Sequence, residues 1–188
     1  MKVILISGSP RAKGNTVQAL SACAEAIEAE GVETEVISFA GKQIRSCLAC
    51  GKCAEIGRCV IDDGTNEIIE KIKNAEGLIL GAPVYFGTAR GEIMSFIQRM
   101  GYVSFANGRF LEGKIGGPVA VGRRGGHTAT LQELLMVYAI CGMTVTGSRY
   151  WNMLFGRSEG EVQNDEEGLA TVKLFGKNTA VLIKKVFA

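Results

Sequence analysis

The stretch K-V-I-L-I-S-G-S-P-R-A-K-G-N-T, residues 2–16, opens the chain and indicates its fold class. Lys2–Ser7 is a continuous apolar run, which is typical of a parallel strand that is buried on both faces. Asn15–Glu30 predicts a helix, because its apolar residues recur on one face and Gly31 provides the stop. A strand that leads through a short loop into a helix is the first half of a β-α-β unit.

The same alternation of strand and helix continues along the chain. Further strands are predicted at Glu33–Phe39, Gly77–Ala82, Ile115–Val121 and Met143–Gly147. Helices are predicted at Thr65–Asn74, Gly91–Met100 and Thr128–Ile140, and a last helix follows an irregular stretch from Tyr150 to Asp165. Five strands alternating with helices predict an α/β sandwich with a parallel sheet, in which ligands bind beyond the carboxyl ends of the strands.

Composition narrows the class of protein. At 188 residues the chain is predicted to form one domain, residues 1–188, that buries its core without disulfide bonds. A net charge of +2 with scattered Lys and Arg argues against a nucleic-acid partner. No apolar segment reaches the roughly 18 residues that span a bilayer, so no membrane partner is expected. The short N-terminal strand is no signal peptide, and the lone Cys23 and Cys141 suit a reducing compartment, so we expect a cytoplasmic protein.

The loop after the first strand, Ser7–Thr16, predicts a phosphate-binding site. The N-terminus of a helix offers free N–H groups and a favourable dipole, and Arg11 and Lys13 add positive charge. The loop matches neither a Walker A loop nor the dinucleotide fingerprint, so it suits a monophosphate held without magnesium. The alternative is an ordinary helix cap on a surface loop, where Ser, Asn and Thr are favoured anyway. The candidate phosphate-binding residues are Ser9, Arg11, Lys13, Gly14, Asn15 and Thr16.

The loops after the third and fourth strands are further site candidates. Tyr85 and Phe86 are an aromatic pair that can pack beside a flat ring, although such pairs also pack as plain core. The glycines of the loop at 122–128 let backbone N–H groups reach a ligand. The neighbouring arginines could offset negative charge on that ligand, and the alternative is that they lie on a solvated surface or in a subunit contact. His127 is expected to cap the following helix or to line the pocket. The candidate residues of these two loops are Pro83, Val84, Tyr85, Phe86, Gly87, Thr88, Arg123, Gly125 and Gly126.

Four of the six cysteines lie in the run C-L-A-C-G-K-C-A-E-I-G-R-C, residues 47–59, within a loop at about 42–64. The spacing C-x2-C-x2-C-x5-C resembles the ferredoxin run that grips a [4Fe–4S] cluster. Structural zinc usually uses two C-x2-C pairs a dozen or more residues apart, a separation that this run lacks. Zinc and a disulfide or redox-thiol array remain alternatives. The candidate metal ligands are Cys47, Cys50, Cys53 and Cys59.

The segments G-S-P-R-A-K-G-N-T, A-P-V-Y-F-G-T and G-R-R-G-G-H-T resemble the three FMN-binding loops of the flavodoxin-like NADPH-dependent FMN reductase superfamily. The compact cysteine run between the second strand and the next helix is similar to that of the iron–sulfur flavoproteins within it. The resemblance implies a flavodoxin-like three-layer sandwich whose five parallel strands have the order 2-1-3-4-5. It also implies one FMN and one [4Fe–4S] cluster per subunit, a homo-oligomer (dimer or tetramer), and reduced ferredoxin as a donor.

The resulting hypothesis is an electron-transfer flavoprotein that uses FMN and a [4Fe–4S] cluster, because such a pair converts between two-electron and one-electron transfer. One alternative is an NAD(P)H-dependent FMN or quinone reductase whose cysteines hold no cluster. An alternative from another class is a zinc-stabilised, flavin-binding carrier without turnover.

Overall fold

A computed structural model describes residues 1–188 and shows one sheet between two layers of helices. The strands are β1 (Lys2–Ser7), β2 (Glu33–Ser38), β3 (Gly77–Tyr85), β4 (Thr88–Ala89), β5 (Ile115–Gly122), β6 (Thr144–Val145) and β7 (Met153–Phe155). The α-helices are α1 (Asn15–Glu28), α2 (Cys53–Ile56), α3 (Thr65–Lys73), α4 (Gly91–Ala106), α5 (His127–Ile140) and α6 (Glu166–Phe187). A short 3-10 helix spans Glu161–Asn164.

The order of the main strands is β2-β1-β3-β5-β6, all parallel. The hairpin strand β4 lies outside this row, so β5 and β6 are the fourth and fifth main strands and the order is the predicted 2-1-3-4-5. The flavodoxin-like fold is confirmed. One apolar core packs α3, α4 and α5 against one face of the sheet. A second core packs α1 and α6 against the other face. Ser7, the last residue of β1, pairs with Ser38 and Gly81. The loops after β1, β2 and β3 therefore all leave the sheet on the side where the carboxyl ends of the strands lie.

Several element boundaries differ from the prediction. β3 continues through Pro83 to Tyr85, where the sequence suggested that the proline ends the strand. The carbonyl of Gly81 accepts the N–H of Gly8, on the side of β3 that faces β1. The pairing of β1 with β3 ends at Gly81. No β1 carbonyl therefore lies opposite Pro83, and the missing N–H of the proline leaves no acceptor without a partner. The fifth main strand is only Thr144–Val145, and α4 runs past Gly101 to Ala106.

The stretch Tyr150–Asp165, predicted to be irregular, contributes a strand. Its segment β7 pairs in parallel with the last residues of β5, from Ala120 to Gly122. The hydrophobic pattern there is only three residues long, which is too short to distinguish a strand from a loop. This extra strand brings Gly156 and Arg157 to the same sheet edge as the first loop.

The hydroxyl group of Tyr138 is inserted into the sheet between β3 and β5. It accepts a hydrogen bond from the N–H of Leu80 at 3.1 Å, and the carbonyls of Gly117 (2.9 Å) and Leu78 (3.1 Å) lie within reach of its proton. A Cβ atom at Gly116 would lie 1.7 Å from the carbonyl oxygen of Leu78, so only glycine fits where the strands come this close. Burial raises the pKa of the Tyr138 phenol far above its ordinary value, which keeps the donor proton in place.

Replacing Tyr138 by Phe is expected to lower the free energy of unfolding by about 2–4 kcal/mol, because each buried polar group left without a partner costs roughly 1–3 kcal/mol. Urea unfolding followed by circular dichroism measures the loss. The matched control is Tyr150→Phe, at a side chain that is half exposed, which should change stability by less than about 0.5 kcal/mol. Equal stability of the two variants would contradict the assigned role of the Tyr138 hydroxyl.

Candidate functional site

The first candidate site is a cleft of about 570 Å³ at the carboxyl ends of β1, β3 and β5. The cleft is lined by Ser9, Pro10, Arg11, Gly14, Asn15, Thr16, Pro83, Val84, Tyr85, Val121, Gly122, Arg123, Gly156 and Arg157. The structure therefore brings all three predicted loops to one place.

The start of α1 has no side-chain cap and opens onto the cleft. No side chain caps this helix, and its first residues, Asn15 and Thr16, are buried at the floor of the cleft. The N–H groups of a first helical turn have no partner within the helix, so they remain available to a negatively charged group. The ordinary capped helix, which the sequence left open as an alternative, is not what the structure shows.

The two glycines of the first loop serve the packing of the loop itself. A Cβ atom at Gly14 would lie 2.8 Å from the hydroxyl oxygen of Ser9 and 3.0 Å from Cβ of Arg11. A Cβ atom at Gly8 would lie 3.0 Å from Cβ of Ile93 in α4. The Ser9 hydroxyl accepts the N–H of Arg11 at 3.1 Å, so this side chain shapes the turn.

The side chain of Asn15 is engaged with the loop before the 3-10 helix. Its Nδ2 donates to the carbonyl of Ser158 at 2.8 Å, and its Oδ1 accepts the N–H groups of Gly160 (3.0 Å) and Val162 (3.3 Å). These bonds give the Asn15 side chain a positioning role beside the cleft, and its contact with a phosphate group stays a prediction. The three bonds hold the segment that carries Gly156 and Arg157.

Positive charge around the cleft comes from three arginines. Arg11, Arg123 and Arg157 line it, and all three are exposed. The sequence predicted Arg11 and Arg123 as site residues but not Arg157, because Arg157 lies in the stretch predicted to be irregular. Lys13 is exposed at the rim of the loop and does not line the cleft.

The wall of the cleft is a β-hairpin with a strained tip. Tyr85 pairs with Thr88, and the two residues between them, Phe86 (φ 52°) and Gly87 (φ 87°), both have positive φ as in a type I′ turn. Phe86 is fully exposed, and positive φ is unusual for a bulky residue. Glu133 of α5 anchors the hairpin by accepting the hydroxyl of Thr88 (2.6 Å) and the N–H of Ala89 (2.9 Å).

The third loop supports the hairpin at close range. Gly126 has φ 87°, and a Cβ atom there would lie 2.8 Å from Cα of Gly87, so both its conformation and its packing require glycine. Gly125 is exposed and has no neighbour within contact distance. The sequence suggested that His127 caps α5 or lines the cleft, and in the structure it does neither. Its buried ring bonds the carbonyl of Leu154 at 3.0 Å and packs on Phe155, so it fastens β7 to the start of α5.

The second candidate site is a cavity of about 560 Å³ lined by all four cysteines of the loop. The remaining lining is largely apolar and includes Leu48, Val60, Ile61, Tyr102 and Val103. The four thiols are free of disulfide bonds. They are spread around the cavity, and no three Cys, His, Asp or Glu side chains of the chain form a group that could hold a single metal ion.

One face of α4 holds the cysteine loop. The hydroxyls of Ser95 and Ser46 are 2.9 Å apart, and Gln98 accepts the N–H of Cys47 at 3.4 Å. Asn107, at the end of the helix, donates to the carbonyl of Cys53 at 3.1 Å. The contacts at positions 95, 98, 99 and 102 follow the helical repeat, so one stripe of α4 holds the loop, and Asn107 adds a contact from the C-cap of the helix.

Arg99 lies at the centre of this stripe with its side chain fully buried. Its Nη1 pairs with Asp63 at 2.5 Å, and its Nε donates to the sulfur of Cys59 at 3.2 Å. Burial alone raises the pKa of Asp63, but hydrogen bonds from Arg99, Thr65 and the Arg45 backbone outweigh it and lower this pKa to about 2. One signal in the sequence could have pointed to this residue, namely an arginine among the apolar residues of a predicted helix.

The donor set fits an iron–sulfur cluster. Thiolates are the ligands that such clusters use, and hydrogen bonds to sulfur together with limited solvent access are what tunes them. Besides Arg99, the N–H of Ala49 donates to the sulfur of Cys47 at 3.4 Å. Burial raises the pKa of the Cys53 thiol, and the neighbouring cysteines raise it further, as expected for thiols packed around one site.

The cleft and the cysteine cavity share no lining residue, but the loop after β1 and the cysteine loop both contact α4 or its N-cap residue. Arg90, at the start of this helix, donates to the carbonyl of Gly8 at 3.1 Å, and the cysteine loop lies along the rest of it. Because a helix rises about 1.5 Å per residue, the nine residues from Arg90 to Arg99 separate the two contacts by roughly 14 Å along the axis.

No helix of this chain combines the length and the apolar character that crossing a membrane requires. The fold itself is shared with solved flavodoxin-like proteins. A flavodoxin from the domain Archaea superimposes with a TM-score of 0.67 and 19% identity, over 98% of this chain and 99% of the other. RosB, solved with a bound intermediate, gives a TM-score of 0.81 and 17% identity, over 100% of this chain and 80% of that one. At these identities the likeness shows the fold alone.

Sequence comparison gives the family. A family model described as NADPH-dependent FMN reductase matches residues 1–157. An iron–sulfur flavoprotein of Methanocaldococcus jannaschii is 40% identical over 193 residues, which cover 99% of each chain. Another, of Methanosarcina thermophila, is 32% identical over 189 residues, covering 99% of this chain and 97% of the other. The chain belongs to the NADPH-dependent FMN reductase family, in its iron–sulfur flavoprotein branch, and this membership supports a flavoprotein redox role.

Proposed function

We propose that this protein is an electron-transfer flavoprotein that binds FMN and a [4Fe–4S] cluster and passes electrons from a low-potential donor such as ferredoxin to an acceptor. The observation that carries the proposal is that one chain combines an uncapped helix start facing a cleft with a separate cavity lined by four cysteines. The names of the relatives, iron–sulfur flavoproteins, support the same combination.

The FMN phosphate would be held at the start of α1. Backbone N–H groups of its first turn and the buried Thr16 face the cleft, and Arg11 and Arg157 add charge from two sides. Asn15 keeps the Arg157 segment in place through its three hydrogen bonds. The hairpin that carries Pro83 would lie along the flat ring of the flavin, with the third loop supporting it from behind.

The cluster would be held by Cys47, Cys50, Cys53 and Cys59. Apolar side chains complete the lining of the cavity, and hydrogen bonds with Gln98 and Asn107 hold the loop against α4. When bound, FMN exchanges two electrons and an iron–sulfur cluster exchanges one at a time, which couples two-electron to one-electron chemistry. The four thiols must lose their protons for such binding, so iron loading is expected to weaken at low pH.

A redox protein is the proposed donor, and a homo-oligomer is the proposed assembly. The outer face of α5 carries exposed Met136 and Ile140, and Trp151 is exposed beside it. Contiguous apolar side chains of this kind support association with another copy. The family model's description favours NAD(P)H as a competing donor, and the exposed hairpin leaves the cleft accessible to a second ligand.

Anaerobically purified protein is expected to contain iron and acid-labile sulfide in near-equal amounts together with FMN. Cys50→Ser should deplete the iron and sulfide and spare the FMN, because the two cavities share no residue. The matched control Cys141→Ala removes a thiol outside the loop and should leave all three at their original levels. Stoichiometric zinc without sulfide would instead make the protein a zinc-stabilised flavin carrier.

FMN is expected to bind more tightly than riboflavin, which lacks the phosphate group. Arg11→Ala should weaken FMN by tenfold or more and leave riboflavin unaffected, because a charge-assisted contact contributes roughly 1.5–3 kcal/mol. Fluorescence titration of the apoprotein measures both affinities, and Arg149→Ala, at an exposed position outside the cleft, is the control. Equal affinity for the two flavins would remove the phosphate site from the proposal.

Anaerobic stopped-flow reduction is expected to be faster with reduced ferredoxin than with NADPH, because a one-electron donor suits a cluster. Cys50→Ser should slow reduction by ferredoxin strongly. Fast reduction by NADPH that Cys50→Ser leaves unchanged would instead assign the protein to the NAD(P)H-dependent reductases.

A further inference from the structure

Arg99 is a fully buried arginine whose hydrogen bonds converge on the cysteine loop. Besides Asp63 and the sulfur of Cys59, its guanidinium donates to the carbonyls of Arg45 (3.3 Å) and Ile61 (2.8 Å). These four acceptors lie before, within and after the cysteine run. One side chain therefore ties both ends of the loop to α4.

The orientation of the guanidinium is specific. The carboxylate of Asp63 accepts a hydrogen bond from Nη1, and the carbonyl of Ile61 accepts one from Nη2. The N–H of Nε therefore points at the sulfur of Cys59. A planar guanidinium fixes its N–H groups in one fork, so two bonds to the backbone and one to a carboxylate determine where the remaining donor points. Burying this charge is costly unless each donor is used.

Cys59 is further restrained by Asn66 of α3. The side-chain carbonyl of Asn66 accepts the N–H of Cys59 at 3.0 Å, and its amide donates to the carbonyl of the same residue at 3.0 Å. Cys50, by contrast, is exposed. The four cysteines therefore have unequal surroundings, and Cys59 has both its backbone and its sulfur fixed by other parts of the fold.

We propose that Arg99 is a positioning residue that fixes the sulfur of Cys59 and raises the reduction potential of the cluster held there. The inference rests on the proposed function, in which the four cysteines are the cluster ligands. Reduction adds negative charge to the cluster and its thiolates, and a buried N–H donor stabilises the more negative state more strongly. Removing the donor therefore lowers the potential. Because Asp63 balances the charge of Arg99, the directed bond to sulfur is the feature that distinguishes this arginine from a nearby surface charge.

The test compares Arg99→Met with Arg58→Met in the anaerobically purified full-length protein. Arg58 is exposed and precedes Cys59, so its replacement removes the same charge near the same ligand without a bond to sulfur. Three readouts are taken: iron and sulfide content, the cluster midpoint potential by a redox titration monitored by electron paramagnetic resonance, and the Fe–S(Cys) stretching bands by resonance Raman spectroscopy.

Arg99→Met is expected to shift the reduction equilibrium of the cluster at least tenfold towards the oxidised form, about 59 mV for one electron. It should also move the Fe–S(Cys) bands to higher frequency and lower the iron and sulfide content of the purified protein. Arg58→Met should leave all three readouts at wild-type values. Arg99→Lys keeps a buried charge with a single donor group, and its potential should lie between those of Arg99→Met and the wild type.

The outcomes separate the two levels of the claim. Wild-type protein without iron and sulfide would contradict the proposed function itself. A wild-type cluster whose potential and Raman bands are the same in Arg99→Met and Arg58→Met would overturn only the inference about Arg99. If Arg99→Met fails to retain iron, Arg99→Lys carries the comparison, and a potential equal to that of Arg58→Met would then overturn the inference.

Discussion

The hydrogen bonds between α4 and the cysteine loop are the interaction on which the functional arrangement depends. A loop of about twenty residues with four cysteines and several exposed apolar side chains has little regular structure of its own. It is held because α4 presents Ser95, Gln98 and Arg99 along one stripe, and because Asn107 at the C-cap of the helix bonds a further part of the loop. Arg90, at the start of the same helix, contacts the loop after β1. A shift of α4 would therefore disturb both sites.

The two cavities are built on different physical principles. The cleft at the start of α1 relies on backbone N–H groups and on glycines that allow close packing. A side chain at Gly14 would collide with its own loop, and one at Gly126 would collide with the hairpin. The cysteine cavity relies on side chains, with thiols at its wall and a buried guanidinium beneath it. Neither site shares a lining residue with the other, so substitutions at one are expected to leave the other intact.

The sequence predicted what depends on local pattern. Lys2–Ser7, the helix from Asn15 and the convergence of three loops follow from periodicity and from the rules of parallel sheets, whereas the strand order is what the family resemblance implies. The sequence did not predict what depends on contacts between distant segments. The bonds of Asn15 join residues about 145 positions apart, and those of Arg99 join residues 36 to 54 positions apart. A three-residue strand such as Met153–Phe155 has no periodicity to detect, so Arg157 went unnoticed.

The central claim is that the four cysteines share one iron–sulfur cluster while FMN occupies the cleft at α1. Anomalous diffraction from anaerobically grown crystals, collected on both sides of the iron absorption edge and again at the zinc edge, tests it directly. The account predicts an iron peak inside the cavity bounded by Cys47, Cys50, Cys53 and Cys59, with flavin density in the cleft. A zinc peak at the cysteines, or density for disulfide bonds among them, would contradict it.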